Sequence, residues 1–118
     1  MAISDELLEA VEPPQGATGD VQVFFDHQVT LVMLSGEIDL ALGPELEDAG
    51  RDAIDRDEQI RLDATAVSFL DSVGIGFVAR ITSASHQMGC PLTVVGASRR
   101  VRETLELAGL AELVAYSH

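Results

Sequence analysis

The stretch FLDSVGIG, residues 69–76, sets an Asp-Ser pair directly ahead of Val-Gly-Ile-Gly. After it, Gly74, Phe77, Val78, Ile81, Ser85 and Met88 recur at helical spacing, which predicts a helix from Ser72 to Met88 with Gly89 as its C-terminal cap. Before it, QIRLDA (59–64) reads as a brief strand, and PLTVV (91–95) reads as another beyond the helix. A strand, a helix and a strand in that order imply a right-handed crossover and a parallel sheet. The serine therefore stands at the carboxyl end of a strand, where sites of open α/β sheets gather.

Working outward, VQVFF (21–25) and VTLVML (29–34) flank Asp26-His27-Gln28 and predict an opening antiparallel hairpin. Gly43-Pro44-Glu45 begins a helix over 44–56, with Leu46, Ala49, Ala53 and Ile54 on its apolar side and acids outside. Ser98 caps a last helix with Val101, Leu105 and Ala108 inward and Gly109 closing it, and LVAY (113–116) adds a short final strand. The order is ββαβαβα, an α/β fold with a small mixed sheet. Residues 1–20, with five acids, no base and a Pro-Pro pair, read as a flexible acidic tail in which Ser4 caps one short turn; residues 21–118 form the domain.

Composition narrows the classes of function. At 118 residues the chain is one domain in size, large enough for a core without staples, and Cys90 is its single cysteine. No apolar run reaches the roughly 18 residues of a membrane span, and Met1–Ala10 lacks a basic signal start, so a cytoplasmic protein is expected. Twenty acids oppose seven bases, all of them Arg, giving a formal net charge of -13. Such a chain is repelled by DNA, RNA and anionic membranes, so a protein partner or small ligand is expected instead.

Three roles are open to Ser72. As a nucleophile it needs a base, yet His27 lies in the hairpin, His86 near the far end of the helix that Ser72 begins, and His118 at the terminus. No Gly-x-Ser-x-Gly elbow, nucleotide fingerprint or metal-ligand spacing accompanies it, so no enzyme, cofactor or metal is expected. As an N-cap it accepts from backbone N–H groups ahead, with Asp71 adding charge that suits a helix start. As a modification site it tolerates phosphate at that same helix start. Gly74 and Gly76, poor helix formers, suit close approach by another chain, and Phe69 and Leu70 anchor the segment.

With GEID (36–39), LD (62–63), Gly89 and ETLELAGL (103–110), FLDSVGIG resembles the STAS domains of bacterial anti-sigma factor antagonists over roughly residues 21–118. The resemblance implies a STAS fold and a chain that binds an anti-sigma factor with serine kinase activity, releasing the sigma factor. Phosphorylation of Ser72 by that kinase breaks the contact, a serine phosphatase restores it, and ATP is held by the kinase. Asp39 matches a family position involved in partner binding and phosphorylation, although on its own it reads as a turn residue, and Asp71 matches the acid preceding the phosphoserine; both are expected at the partner contact. Val73 departs from the second hydroxyl found in many antagonists. Gly74 and Gly76 complete the expected contact, and Arg99 and Arg100, on the same sheet edge, are expected to help dock an acidic partner surface. Rival readings are the STAS subunit of a lipid ABC transporter and a non-phosphorylated stress-signalling scaffold.

Overall fold

In the computed structural model, which describes residues 19–117, the first apolar runs pair as a hairpin. Strands β1 (Asp20–Asp26) and β2 (Val29–Ile38) are antiparallel, with Val23 opposite Val32 and Phe24 opposite Leu31. His27 and Gln28 connect them, both at positive φ (42° and 72°), as a type I′ turn requires. Asp20 belongs to this strand rather than to a tail. The acidic tail and its Ser4-capped turn fall on residues outside those described.

A 3-10 turn (Leu40–Leu42) leads into helix α1 (Gly43–Asp55), which carries Pro44 in its first turn and buries Leu46, Ala49, Gly50 and Ala53. Strand β3 (Gln59–Leu70) follows, then helix α2 (Ser72–Gln87), strand β4 (Leu92–Val95) and helix α3 (Arg99–Leu107). Ser98 Oγ caps α3 by accepting from the Val101 N–H at 3.1 Å. Ala108, expected inward, is exposed because the helix ends one residue before it, and Gly109 turns the chain away at φ 80°. A second 3-10 turn (Ala111–Leu113) precedes the edge strand β5 (Val114–Ser117).

The sheet runs in the order β1-β2-β3-β4-β5, parallel from β2 onward. Sequential parallel strands joined by right-handed crossovers place every helix on one face. Burial alternates accordingly: Val32, Leu34, Ile60, Leu62, Leu92 and Val94 are buried, while Met33 and Arg61 on the opposite face are exposed. From α2, the core takes Phe77, Val78 and Ile81, each contributing about 1.5–3 kcal/mol by leaving water.

The brief strand expected over 59–64 is twelve residues long. Its second half pairs with the end of β2, Ala66 opposite Ser35 and Leu70 opposite Ile38, through register shifts on either side of Ser35-Gly36. This extension carries the chain to Asp71 and the head of α2. It also puts Gly36, Glu37 and Ile38 in strand, so the turn begins at Asp39.

Candidate functional site at the head of helix α2

Four N–H groups at any helix start lack intrahelical partners, and here the side chain that satisfies two of them is Asp71. Its Oδ1 accepts from the Val73 N–H at 2.7 Å and the Gly74 N–H at 3.1 Å, making Asp71 the N-cap. Ser72, the expected alternative, is the first helical residue. A short carboxylate one position upstream reaches both donors, which leaves the Ser72 hydroxyl exposed and without a hydrogen-bond partner among the described residues. The cap and the modifiable hydroxyl are thus two adjacent side chains.

The second Asp71 oxygen, Oδ2, accepts from the Leu40 N–H at 3.2 Å, and the Asp71 N–H donates to the Ile38 carbonyl at 3.1 Å. Asp39 caps the 3-10 turn beside them, its Oδ1 accepting from the Ala41 N–H at 3.0 Å. One carboxylate therefore ties the β2 turn to the head of α2, and the other shapes that turn. Between them Leu40 stands 74% exposed, a large apolar side chain held on a rigid turn beside the serine.

Gly74 and Gly76 serve different ends. A methyl on Gly74 would lie 2.8 Å from the Ile38 carbonyl oxygen and 2.9 Å from Leu70 Cδ2, so this glycine permits close approach within the chain itself. A methyl on Gly76 would meet nothing within 4 Å, so that glycine leaves open surface. The opening is a groove of about 160 Å³ between α1 and α2, lined by Gly43, Leu46, Val73, Gly76, Phe77 and Arg80. Arg80 closes one end, donating to the Glu47 carbonyl at 3.1 Å and pairing with the Glu47 carboxylate at 3.6 Å.

Of the residues expected at the site, Asp39, Asp71, Ser72, Val73 and Gly76 come together, and Gly74 supports them from beneath. Arg99 and Arg100 are exposed on the same sheet edge but one level back: β4 ends at Val95 opposite Asp63, and β3 continues through Leu70, roughly 20 Å of strand, before Asp71. Arg99 is paired with Glu103 at 3.3 Å. Of the two expected anchors, Leu70 is buried, but Phe69 is 43% exposed. Leu40, Arg80 and Glu47 were missed. An apolar residue directly after the GEID acid was the one signal available for Leu40, and none marked the other two.

A sequential, one-sided α/β sheet with an exposed serine beside the acidic cap of a helix, at a strand-to-helix junction, is the arrangement of a STAS-type domain. The chain belongs to the STAS domain family, whose model described as "Mlab, STAS domain" matches residues 21–115. It is similar to the anti-sigma-B factor antagonist of Staphylococcus aureus, 33% identical over 86 residues that span 70% of this chain and 78% of the relative. Among solved structures, an anti-sigma factor antagonist from Mycobacterium paratuberculosis superposes with a TM-score of 0.69 at 27% identity, covering 84% of this chain and 85% of that one. The Bacillus cell fate determinant SpoIIAA in its phosphorylated form shares the fold, with a TM-score of 0.66 at 19% identity over 84% of this chain and 92% of that one. Among the described residues, no helix is long and apolar enough to cross a membrane.

Proposed function

We propose that this chain is an anti-sigma factor antagonist that binds a serine-kinase anti-sigma factor in the cytoplasm when Ser72 is unmodified. Phosphorylation of Ser72 by that partner releases it, and a serine phosphatase resets the chain. The observation that carries the reading is the free, exposed Ser72 hydroxyl beside the Asp71 cap. A kinase can take this hydroxyl without removing any bond that holds the fold. Similarity to anti-sigma factor antagonists, and the phosphorylated form of the Bacillus neighbour, support the same role.

In this scheme Leu40 and the groove beside Val73 and Gly76 receive apolar side chains of the partner, while Asp39 and Asp71 hold the turn and helix head in place. The kinase brings ATP, and its γ-phosphoryl group passes to Ser72 Oγ as its bond to ADP breaks and the hydroxyl proton leaves, so that ADP departs with the kinase. The product carries about -1.5 to -2 charges in the middle of the contact, where an unpaired charge costs several kcal/mol. Arg99 and Arg100, roughly 20 Å of strand behind the serine, fall outside a standard interface of about 800 Å² per partner centred on Ser72.

Incubation of the purified chain with candidate serine-kinase anti-sigma factors and ATP, followed by mass spectrometry, tests the reading. Phosphate on Ser72 that disappears in Ser72→Ala is the expected result. Modification elsewhere, or its persistence in Ser72→Ala, overturns the reading in favour of a constitutive STAS subunit.

A further inference from the structure

Strand β3 outruns one of its neighbours. Its pairing with β4 ends where Asp63 faces Val95, while on the other side it stays paired with β2 through Leu70, so residues 64–70 present one bare edge. Gly96, at φ 70°, turns the chain off β4 against Thr65, and its N–H goes to the Ser117 carbonyl at 3.2 Å. The Thr65 N–H is met by the Asp63 carboxylate at 2.9 Å. Beyond it, no turn, loop or cap hydrogen bond among the described residues reaches residues 66–70. Backbone groups of a strand point alternately to its two sides, so about half of those at 66–70 lack a partner strand.

Strand edges are usually guarded by brevity, charge or proline. The outer edges follow that rule, since β5 has four residues and β1 is bracketed by Asp20 and Asp26. The inner edge does not: ATAVSFL (64–70) has neither charge nor proline, and Ala66, Ser68 and Phe69 are exposed. The empty lane beside it has two defined ends. Ser72 stands at one, directly past the strand. At the other α3 begins, with Arg99 and Arg100 exposed in a chain of net charge -13. Val73, Gly76, Phe77 and Arg80 of α2 line the groove toward α1, which leaves half-buried Ile75 and Ala79 on the other flank, the side of the lane.

We propose that this lane takes an extended segment of the serine-kinase anti-sigma factor as an added strand, with acidic residues at the end that reaches Arg99 and Arg100. The inference rests on the function proposed above and adds the form of the contact. Bare backbone groups select an extended chain, and the two cations select acids at one end of it. Seven residues of strand span about 23 Å, which covers the interval by which Arg99 and Arg100 stand back from Ser72. One arm of the partner therefore joins the serine to the arginines, which a compact contact centred on Ser72 does not. A second copy of the chain offers the same uncharged edge but has to approach against like net charges of -13.

Amide hydrogen exchange of the full chain tests the proposal, measured alone and with the kinase and ADP, so that binding is not ended by phosphorylation; transfer from ATP to Ser72 is assayed in parallel. Alone, about half of the amides at 66–70 should exchange as fast as loop amides, and in the complex they should slow at least tenfold. Arg99→Glu combined with Arg100→Glu should weaken binding at least tenfold with Tm unchanged, since both side chains are exposed. A kinase that phosphorylates Ser72 yet leaves the edge amides fast, or binds the double variant equally well, overturns this proposal and leaves the proposed function standing. Ser72 phosphorylated by no candidate overturns that function and this proposal with it. Edge amides already slow in the dilute free chain overturn the bare edge, and slowing that grows with chain concentration alone overturns the proposal in favour of a second copy.

Discussion

Replacing Asp71 by Ala removes three acceptor contacts at once: the Val73 and Gly74 N–H groups lose their cap, and the Leu40 N–H loses its tie to the helix head. Loss of an N-cap costs about 1 kcal/mol, and the Leu40 bond adds about 1 kcal/mol more. The expected destabilisation is about 2 kcal/mol, or a fall in Tm of roughly 8 °C for a domain of this size. Ser72→Ala removes a hydroxyl that holds nothing, so stability should stay within about 0.5 kcal/mol. Asp71→Asn keeps an acceptor oxygen and should recover most of the loss. Urea unfolding of the three variants reads these differences as shifts in midpoint at constant slope. A Ser72→Ala variant as unstable as Asp71→Ala would refute the separation of cap from hydroxyl, and so would a neutral Asp71→Ala.

The two glycines of the motif should respond oppositely. Gly74→Ala drives a methyl into the Ile38 carbonyl and should cost about 1–3 kcal/mol, whereas Gly76→Ala meets nothing and should gain up to about 1 kcal/mol from helix propensity, both read by thermal unfolding. Leu40→Asp should leave Tm unchanged, since the side chain is 74% exposed, yet weaken partner binding at least tenfold by calorimetry. Burial raises the Tyr116 phenol above its usual value, so the folded state holds that proton longer than the unfolded one. Its contribution is complete below about pH 10 and is lost as the pH rises through the folded value, and Tyr116→Phe should flatten the alkaline limb of stability against pH. With no Lys in the chain that limb has few competing groups, and the unpartnered Tyr116 hydroxyl makes the substitution nearly neutral at pH 7.

Strong periodicity made most of the fold legible. Helices α1 and α2 fall within a residue of their expected bounds because their apolar positions repeat without interruption and Gly89 ends the second at positive φ. The hidden part was the second half of β3. From Ala64 to Leu70 burial recurs every third residue, at Ala64, Val67 and Leu70, because register shifts against β2 break the strand's alternation. A run with Thr65, Ser68 and a half-exposed Phe69 does not look like a strand, yet it carries the serine to its place.

At the site, FLDSVGIG pointed to Ser72 as the candidate hydroxyl at the helix head, but did not say which of two neighbours caps the helix. Asp and Ser rank alike as caps, and the choice depends on where the strand ends. Leu40 was hidden for a related reason: its exposure follows from the Asp39-capped turn and the Asp71 bond, two long-range consequences of how β2 and β3 finish.

The central claim is that a charge on Ser72 decides whether the partner binds. The direct measurement is titration calorimetry of the serine-kinase anti-sigma factor against the unmodified chain and against the chain bearing phosphoserine at position 72. An unpaired charge in a desolvated contact costs about 2–5 kcal/mol, so the phosphorylated form should bind about 30-fold to several-thousand-fold more weakly. Equal affinity for the two forms would contradict the account.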